Sequence, residues 1–146
     1  MTFTKYQFNN YCFWPSNPKK IIEFIGGSYL ASKPDLSYKR FIKSLIDKNY
    51  AVHAHKYTPQ FDHQELAMRA WKDFKSCQRS LSKRIGTSIT SIRIGHSLGC
   101  KLHLISPDGG RNCEKFISIS FNNFSANRSI PLLKKISQKL EFNSEF

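Results

Sequence analysis

The sequence predicts an α/β fold: a three-layer sandwich with a mainly parallel sheet covered by helices on both faces. Short apolar runs rich in β-branched residues alternate with longer runs whose apolar residues recur at helical spacing. Turns containing glycine or proline separate these runs. The length of 146 residues suits one domain. We therefore expect right-handed βαβ units and a single domain over residues 1–146.

The first predicted element is an edge hairpin or strand over residues 3–14, closed by a turn at Pro15–Pro18. A short apolar strand at Ile21–Ile25 then runs into Gly26-Gly27-Ser28. Two glycines after a buried strand permit positive φ and close backbone approach, so that N–H groups can point into a cleft. An ordinary glycine turn is an equally good interpretation from these residues alone.

A helix carrying apolar positions from Leu36 to Ile46 is predicted next, followed by a strand within Tyr50–Tyr57. His53 and His55 are two residues apart on that strand. This spacing could suit a metal, but the sequence shows no third ligand, so packing within the sheet is favoured. The four cysteines also lack metal-ligand spacing, and we expect no metal or cofactor.

A longer helix begins at Asp62, which forms a capping-box-like start with Glu65, and its apolar stripe extends to Ile85. A row of basic residues steps along this helix by three or four positions. Its members are Arg69, Lys72, Lys75, Arg79 and Lys83. Most such rows are solvated faces, and the alternative is a docking surface for an acidic protein or a membrane surface.

The overall charge is +13, which attracts acidic partners in general. Nucleic-acid binding is nevertheless the least favoured partner class, because no helix-turn-helix, RRM, KH or zinc-finger pattern is present. No apolar run approaches the ~20 residues of a membrane helix, so we expect no transmembrane segment. The N-terminus lacks the apolar region of a secretory signal.

The central motif is Gly95-His96-Ser97-Leu98-Gly99, which follows an apolar strand-like run and precedes a helical one. This is the context of a G-x-S-x-G nucleophile elbow. The glycines would remove collisions around a strained turn that holds the Ser97 hydroxyl at the top of the sheet. The Leu98 N–H, at the start of the helix, would face a developing oxyanion. The alternative is a serine that merely caps the helix.

A fourth core strand is predicted at residues 116–121, and it opens into Asn122 and Asn123. Ligands of parallel sheets bind beyond the carboxyl ends of the strands. The glycine loop after residue 25, the Ser97 turn and the two asparagines all fall at such ends. We therefore expect one site with Asn122 and Asn123 at its rim, binding a small ester or thioester substrate.

With these motifs, the sequence resembles the α/β-hydrolase superfamily. More closely, it resembles an uncharacterised α/β-hydrolase-like family of cyanobacteria and plastids, known as a domain of unknown function. The stretches that carry the resemblance are Phe13-Trp14-Pro15, Ile25-Gly26-Gly27, Phe61-Asp62-His63-Gln64, residues 95–103, residues 120–126 and Arg128-Ser129-Ile130-Pro131. The resemblance implies that the strands are hydrolase strands three to six, with Ile21–Ile25 central.

The same resemblance implies functional roles. Ser97 matches the nucleophile position, while Gly27 and Ser28 lie where such folds draw an oxyanion-hole N–H. A plastid stroma location is expected from the family, from a composition rich in Lys, Ile, Asn and Phe, and from the absent targeting signal.

The pattern departs from the superfamily where the triad should be completed. Hydrolases of this class place the acid and then the histidine after strands seven and eight. This sequence ends soon after the strand that corresponds to hydrolase strand six, which implies a fold lacking the C-terminal strands, with 131–146 as the start of a cap or tail. His103 follows Ser97 by about 1.7 helical turns, too far along one helix to act as its base.

Other candidate bases are also unfavourable. Asp108 and Glu114 are expected at the opposite end of the sheet, and His96 is expected to point away from Ser97. His63 is at the right end but beyond a strand placed away from Ser97. Loss of triad members costs roughly 10⁴ to 10⁶ in rate. We therefore expect an incomplete serine hydrolase, weak or inactive by itself, or else a non-catalytic binding or relic module that uses the basic helix row.

Overall fold

In a computed structural model, the described residues 1–120 form one six-stranded sheet with helices on both faces. The strands are β1 (Phe3–Gln7), β2 (Asn10–Trp14), β3 (Ile21–Ile25), β4 (Ala51–His55), β5 (Ser91–His96) and β6 (Lys115–Ile119). The helices are α1 (Pro34–Ser37), α2 (Lys39–Asp47), α3 (His63–Ile85) and α4 (Leu98–Leu104), with a 3₁₀ turn at Leu30–Ser32.

The strand order is β1-β2-β4-β3-β5-β6. The pairs β3–β4, β3–β5 and β5–β6 are parallel, while β1–β2 and β2–β4 are antiparallel. The predicted α/β class with a mainly parallel sheet is therefore confirmed, as is the central position of β3. The resemblance assigned strands three to six, and the structure adds two more, because residues 3–14 form a complete hairpin.

The hairpin turn consists of Phe8 and Asn9, both with positive φ, 49° and 54°. This is the type I′ combination whose twist matches paired antiparallel strands. Asparagine favours it, whereas phenylalanine does not, so a two-residue turn was not predictable from these residues.

The two faces of the sheet bury separate cores. Phe24, Phe41 and Leu45 belong to the core between the sheet and α2. Leu66, Ala70, Phe74 and Cys77, from the predicted stripe of α3, pack on the opposite face. Helices follow β3, β4 and β5 and return the chain to a parallel strand, which leaves the carboxyl ends of these strands at one edge.

Helix α3 begins as its sequence predicts. Asp62 Oδ1 accepts the Glu65 N–H at 3.0 Å, and Gly86 ends the helix with φ 78°. The capping box is only half formed, since the Glu65 carboxylate instead accepts a hydrogen bond from Arg69 at 2.9 Å. An i,i+4 pair within the helix competes successfully for that carboxylate.

His53 and His55 are buried packing residues, as expected. Trp14 Nε1 donates to His53 Nε2 at 2.9 Å. Within residues 1–120, no cluster of three or more histidine, cysteine or acidic side chains could hold a metal ion. No helix in the same part of the chain is long and apolar enough to cross a membrane.

Candidate active site

Ser97 lies between β5 and α4, in a backbone conformation that side chains rarely adopt. Its φ is 56° and its ψ is −121°. Its hydroxyl makes no capping hydrogen bond to α4, so the simple helix-cap interpretation is wrong. The Ser97 N–H donates to the carbonyls of Ile119 and Ser120 at 3.0 and 3.1 Å. The end of β6 therefore supports the strained turn, which leaves the half-buried hydroxyl available.

The glycines on either side of this turn are required by close backbone contacts. A Cβ on Gly95 would lie 2.6 Å from the Cys100 nitrogen. A Cβ on Gly99 would lie 1.9 Å from the Ile25 carbonyl oxygen, well inside any allowed contact. Gly99 therefore brings the start of α4 directly against the end of β3.

Two of the three predicted loops meet at this point. A Cβ on Gly27 would lie 3.4 Å from the Ser97 Cβ and 3.6 Å from His96 Nδ1. The loop after β3 and the turn after β5 are thus in contact, as parallel neighbours should be at their carboxyl ends. The third predicted component, Asn122 and Asn123, lies outside the described residues.

Two buried tyrosines hold the glycine loop, and sequence reasoning missed both. The Gly27 N–H donates to the Tyr38 hydroxyl at 2.9 Å, and that hydroxyl lies 2.8 Å from His96 Nδ1. Tyr57 donates its hydroxyl to the Gly26 carbonyl at 2.7 Å. Burial raises the pKa of Tyr38 and lowers that of His96. Both side chains are therefore neutral near pH 7.

This network corrects one predicted role. The Gly27 N–H was expected to face an oxyanion, but it is directed at Tyr38. The backbone N–H groups of Ser28 and Leu98 have no acceptor within residues 1–120. Leu98 directly follows Ser97, and Ser28 follows Gly27, where an added Cβ would lie 3.4 Å from the Ser97 Cβ.

None of the ionisable side chains in residues 1–120 makes a hydrogen bond to Ser97. His103 Nε2 lies 3.2 Å from the Ile94 carbonyl, and burial lowers the pKa of His103 to about 3. Glu114 pairs with Lys20 near the start of β3. His63 Nδ1 accepts from Lys101 Nζ at 2.9 Å. The expectation that none of these histidines or acids serves Ser97 is consistent with these contacts.

Asp108 is also engaged elsewhere, in a buried charge network that sequence analysis overlooked. Arg93 donates to both Asp108 oxygens at 2.7 and 2.8 Å and to Glu23 at 3.3 Å. These hydrogen bonds hold the pKa of Asp108 far below its usual range, whereas burial raises that of Glu23. Glu23 and Arg93 face each other across β3 and β5. The sequence does carry a signal for this pair: Glu23 and Arg93 are single residues of opposite charge, each in an otherwise apolar strand.

The basic row of α3 is only partly free to meet a partner. Arg69 pairs with Glu65, and the Lys75 ammonium lies 3.8 Å from the centre of the Trp71 ring. Lys72, Arg79 and Lys83 are exposed, and within residues 1–120 they have no acidic partner. Three of the five cations are thus available at the surface.

Solved structures similar to this chain share its fold. A carboxyl esterase from Tuber melanosporum has a TM-score of 0.52 and 15% identity, covering 70% of this chain and 37% of the esterase. A siderophore hydrolase from Aspergillus fumigatus has a TM-score of 0.55 and 14% identity, with coverages of 81% and 41%. This chain spans about two fifths of both. A dienelactone hydrolase from Anabaena variabilis has a TM-score of 0.56 and 10% identity, with coverages of 97% and 95%.

These similarities show an α/β-hydrolase-like fold. None of the curated proteins matches the sequence. A family model described as "Protein of unknown function (DUF1350)" matches residues 5–146.

Proposed function

The chain belongs to the DUF1350 family, and we propose that its site is that of a serine hydrolase with Ser97 as the nucleophile. The substrate class is an acyl ester or thioester. The observation that carries the proposal is the strained Ser97 backbone, with φ 56°, held against the glycine loop after β3. Strain of this kind is maintained where a side chain must be presented at a sharp turn.

In this proposal, the Ser97 oxygen attacks the substrate carbonyl carbon. The N–H groups of Leu98 and Ser28 stabilise the oxyanion that forms on the carbonyl oxygen. Gly95 and Gly99 permit the turn, and His96 positions the glycine loop through Tyr38. Asn122 and Asn123 are proposed for the rim of the substrate pocket.

The proton acceptor is the missing component. Ser97 has no hydrogen-bonded base within residues 1–120, and residues 121–146 contain no histidine. We propose that a histidine and its acid come from a further polypeptide segment or a second chain, and that this chain corresponds to the N-terminal part of a hydrolase fold. Alone, the site would be slower by roughly 10⁴ to 10⁶, the cost of losing triad members.

A fluorophosphonate probe tests this function because it reacts with an activated serine hydroxyl. The purified chain should react slowly, and the protein in an extract of its source cells should react quickly. Ser97→Ala should abolish the labelling, whereas Ser88→Ala, in an exposed loop, should leave it unchanged. Absence of Ser97 labelling both in the extract and in the purified chain would overturn the proposal.

We also propose a plastid stroma location, on the family resemblance and on the Lys-, Ile-, Asn- and Phe-rich composition. Fractionation of source cells with an antibody to this chain tests it. Recovery outside the plastid fraction would contradict it.

A second candidate is a binding module, favoured by the exposed cations of α3. In that case Lys72, Arg79 and Lys83 would contact an acidic protein or an anionic membrane surface. Lys72→Glu with Arg79→Glu should then release the protein from an acidic column at lower salt. The same reversal at Lys33 and Lys39 should have a smaller effect. Equal elution of both double variants would exclude a specific role for this face.

A further inference from the structure

An apolar groove lies between the β1–β2 hairpin and the α1–α2 segment, away from Ser97. Helix α2 packs over the centre of the sheet and leaves the adjoining face of the hairpin open. The groove encloses about 530 Å³, within the range of ~300–1,000 Å³ typical of small-molecule sites. Its apolar lining comes from both sides, and consists of Tyr6, Tyr11, Phe13, Leu36, Ile42 and Ile46.

Several of these side chains remain in contact with water despite their apolar character. Leu36 is 64% exposed and Tyr6 is 49% exposed. Leu36 belongs by sequence to the apolar positions of the first predicted helix, yet it is not part of the core. Adjacent exposed apolar groups in a concave surface are typical of a binding site.

The charges around the groove select the chemistry of the occupant. Lys39 and Lys43 line it, against one acid, Asp35. Lys5 also borders the groove, but it lies opposite Cys12 in the hairpin register and so shares the face of the sheet that packs on α3. The Lys43 ammonium is shared with Asp47 at 3.0 Å. Lys39 has no acidic partner within residues 1–120. The groove therefore combines an apolar surface with one available cation.

We propose that this groove binds a long-chain fatty acid. The acyl chain lies along Leu36, Ile46 and Phe13, while Lys39 receives the carboxylate. None of the lining residues is Ser97, Leu98, Ser28 or Gly27, so the site is separate from the proposed hydrolase site. The two proposals can therefore fail independently.

The test is equilibrium binding of palmitate to the full chain. Binding is measured as displacement of a fluorescent fatty acid, with both ligands kept below their micellar concentrations. Each fully buried methylene strengthens binding by about fourfold. In this open groove each methylene is only partly buried, so we expect about twofold for each. Palmitate should thus bind at least tenfold more tightly than decanoate. Hexadecanol, which lacks the carboxylate, should bind at least fivefold more weakly than palmitate.

Two exposed substitutions locate the site. Leu36→Asp and Lys39→Glu should each weaken palmitate binding by at least fivefold. Lys115→Glu reverses the same charge on β6, at the opposite edge of the sheet, and should have no effect. Circular dichroism and the urea midpoint verify that each variant is folded. A photoreactive fatty acid should label peptides of the hairpin and of α1–α2.

Several outcomes would overturn the proposal. One is a failure of palmitate to bind below about 100 µM, and another is equal affinity of palmitate for Leu36→Asp and for the unsubstituted protein. Photolabelling confined to other parts of the chain would have the same consequence. A dimer in light scattering that Leu36→Asp converts to monomer would assign the groove to a second copy. A crosslink from position 36 to residues 121–146 would assign it to the chain's own C-terminal part.

Discussion

The hydroxyl of Tyr38 lies 2.8 Å from Nδ1 of His96 and simultaneously accepts the Gly27 N–H at 2.9 Å. One oxygen atom thereby joins the α1–α2 junction, the loop after β3 and the end of β5. This contact fixes the separation between the loop that carries Ser28 and the turn that carries Ser97. The relative position of the two proposed oxyanion donors depends on it.

Removal of this hydroxyl should destabilise the protein without changing its core packing. Tyr38→Phe leaves a buried N–H and a ring nitrogen without partners, which should lower the free energy of unfolding by about 1–3 kcal/mol. Urea denaturation measures the change. Tyr29→Phe is the matched control, because Tyr29 is 89% exposed, and its effect should stay below about 0.5 kcal/mol. Equal effects of the two substitutions would contradict a structural role for the Tyr38 hydroxyl.

The close approach of α4 to β3 makes Gly99 intolerant of any side chain. Gly99→Ala places a methyl group on the Ile25 carbonyl, so the backbone must separate, and we expect a loss of about 3 kcal/mol or more. Gly86→Ala meets open space at φ 78° and should cost about 1–2 kcal/mol for the left-handed conformation alone. Thermal unfolding should rank the two variants in this order, and the reverse order would disprove the contact.

The strain at Ser97 should be measurable as stability gained when it is relieved. Glycine adopts φ 56° without strain, so Ser97→Gly should raise the free energy of unfolding by about 1 kcal/mol. This value already allows for the larger conformational entropy that glycine gives the unfolded chain. Ser97→Ala keeps the strain and loses no capping bond, and should change stability by less than about 0.5 kcal/mol. A destabilised Ser97→Gly variant would show that the turn is unstrained.

Buried histidines should make the protein sensitive to mild acid. Burial lowers the pKa values of His53, His55 and His103 to about 3, from an ordinary value near 6.5. Between these values the unfolded chain binds more protons than the folded one. Their contribution to stability is therefore fully present above pH 6.5 and is lost progressively towards pH 3, by up to about 1.4 kcal/mol per pH unit for each histidine.

Urea denaturation at pH 7.5, 6.0 and 5.0 measures this loss. His103→Gln should reduce the slope of stability against pH by at most about one third, since His96 also contributes, whatever its effect on absolute stability. A free energy of unfolding that stays constant from pH 7.5 to 5.0 would show that these side chains are not buried in neutral form.

Much of the fold could be predicted because its determinants are local. The helical spacing of Leu66, Ala70 and Phe74 and the cap at Asp62 determine where α3 begins and which face it buries. Gly95 is required by backbone atoms of Gly99 and Cys100, a few residues away, whereas Gly99 is required by the Ile25 carbonyl of the neighbouring strand β3. Parallel topology then brings the ends of β3 and β5 together.

The hydrogen-bond partners at the site depended on contacts that sequence spacing does not encode. Tyr38 was one of several aromatic residues, and its contact with His96 spans 58 positions of the chain. The Gly27 N–H could therefore be recognised as available but not as already bound. Likewise, Leu36 had the periodicity of a core residue, although α2 covers the sheet centre and leaves it exposed.

By itself, the sequence determined the strand and helix pattern, the glycine-flanked Ser97 and the lack of a suitable histidine nearby, because backbone sterics and periodicity act over a few residues. Only the tertiary structure decided that Tyr38 occupies the Gly27 N–H, that Glu23 meets Arg93, and that a groove opens beside α2. Those features depend on which distant side chains are placed together when the sheet is assembled, and on how far each helix covers it.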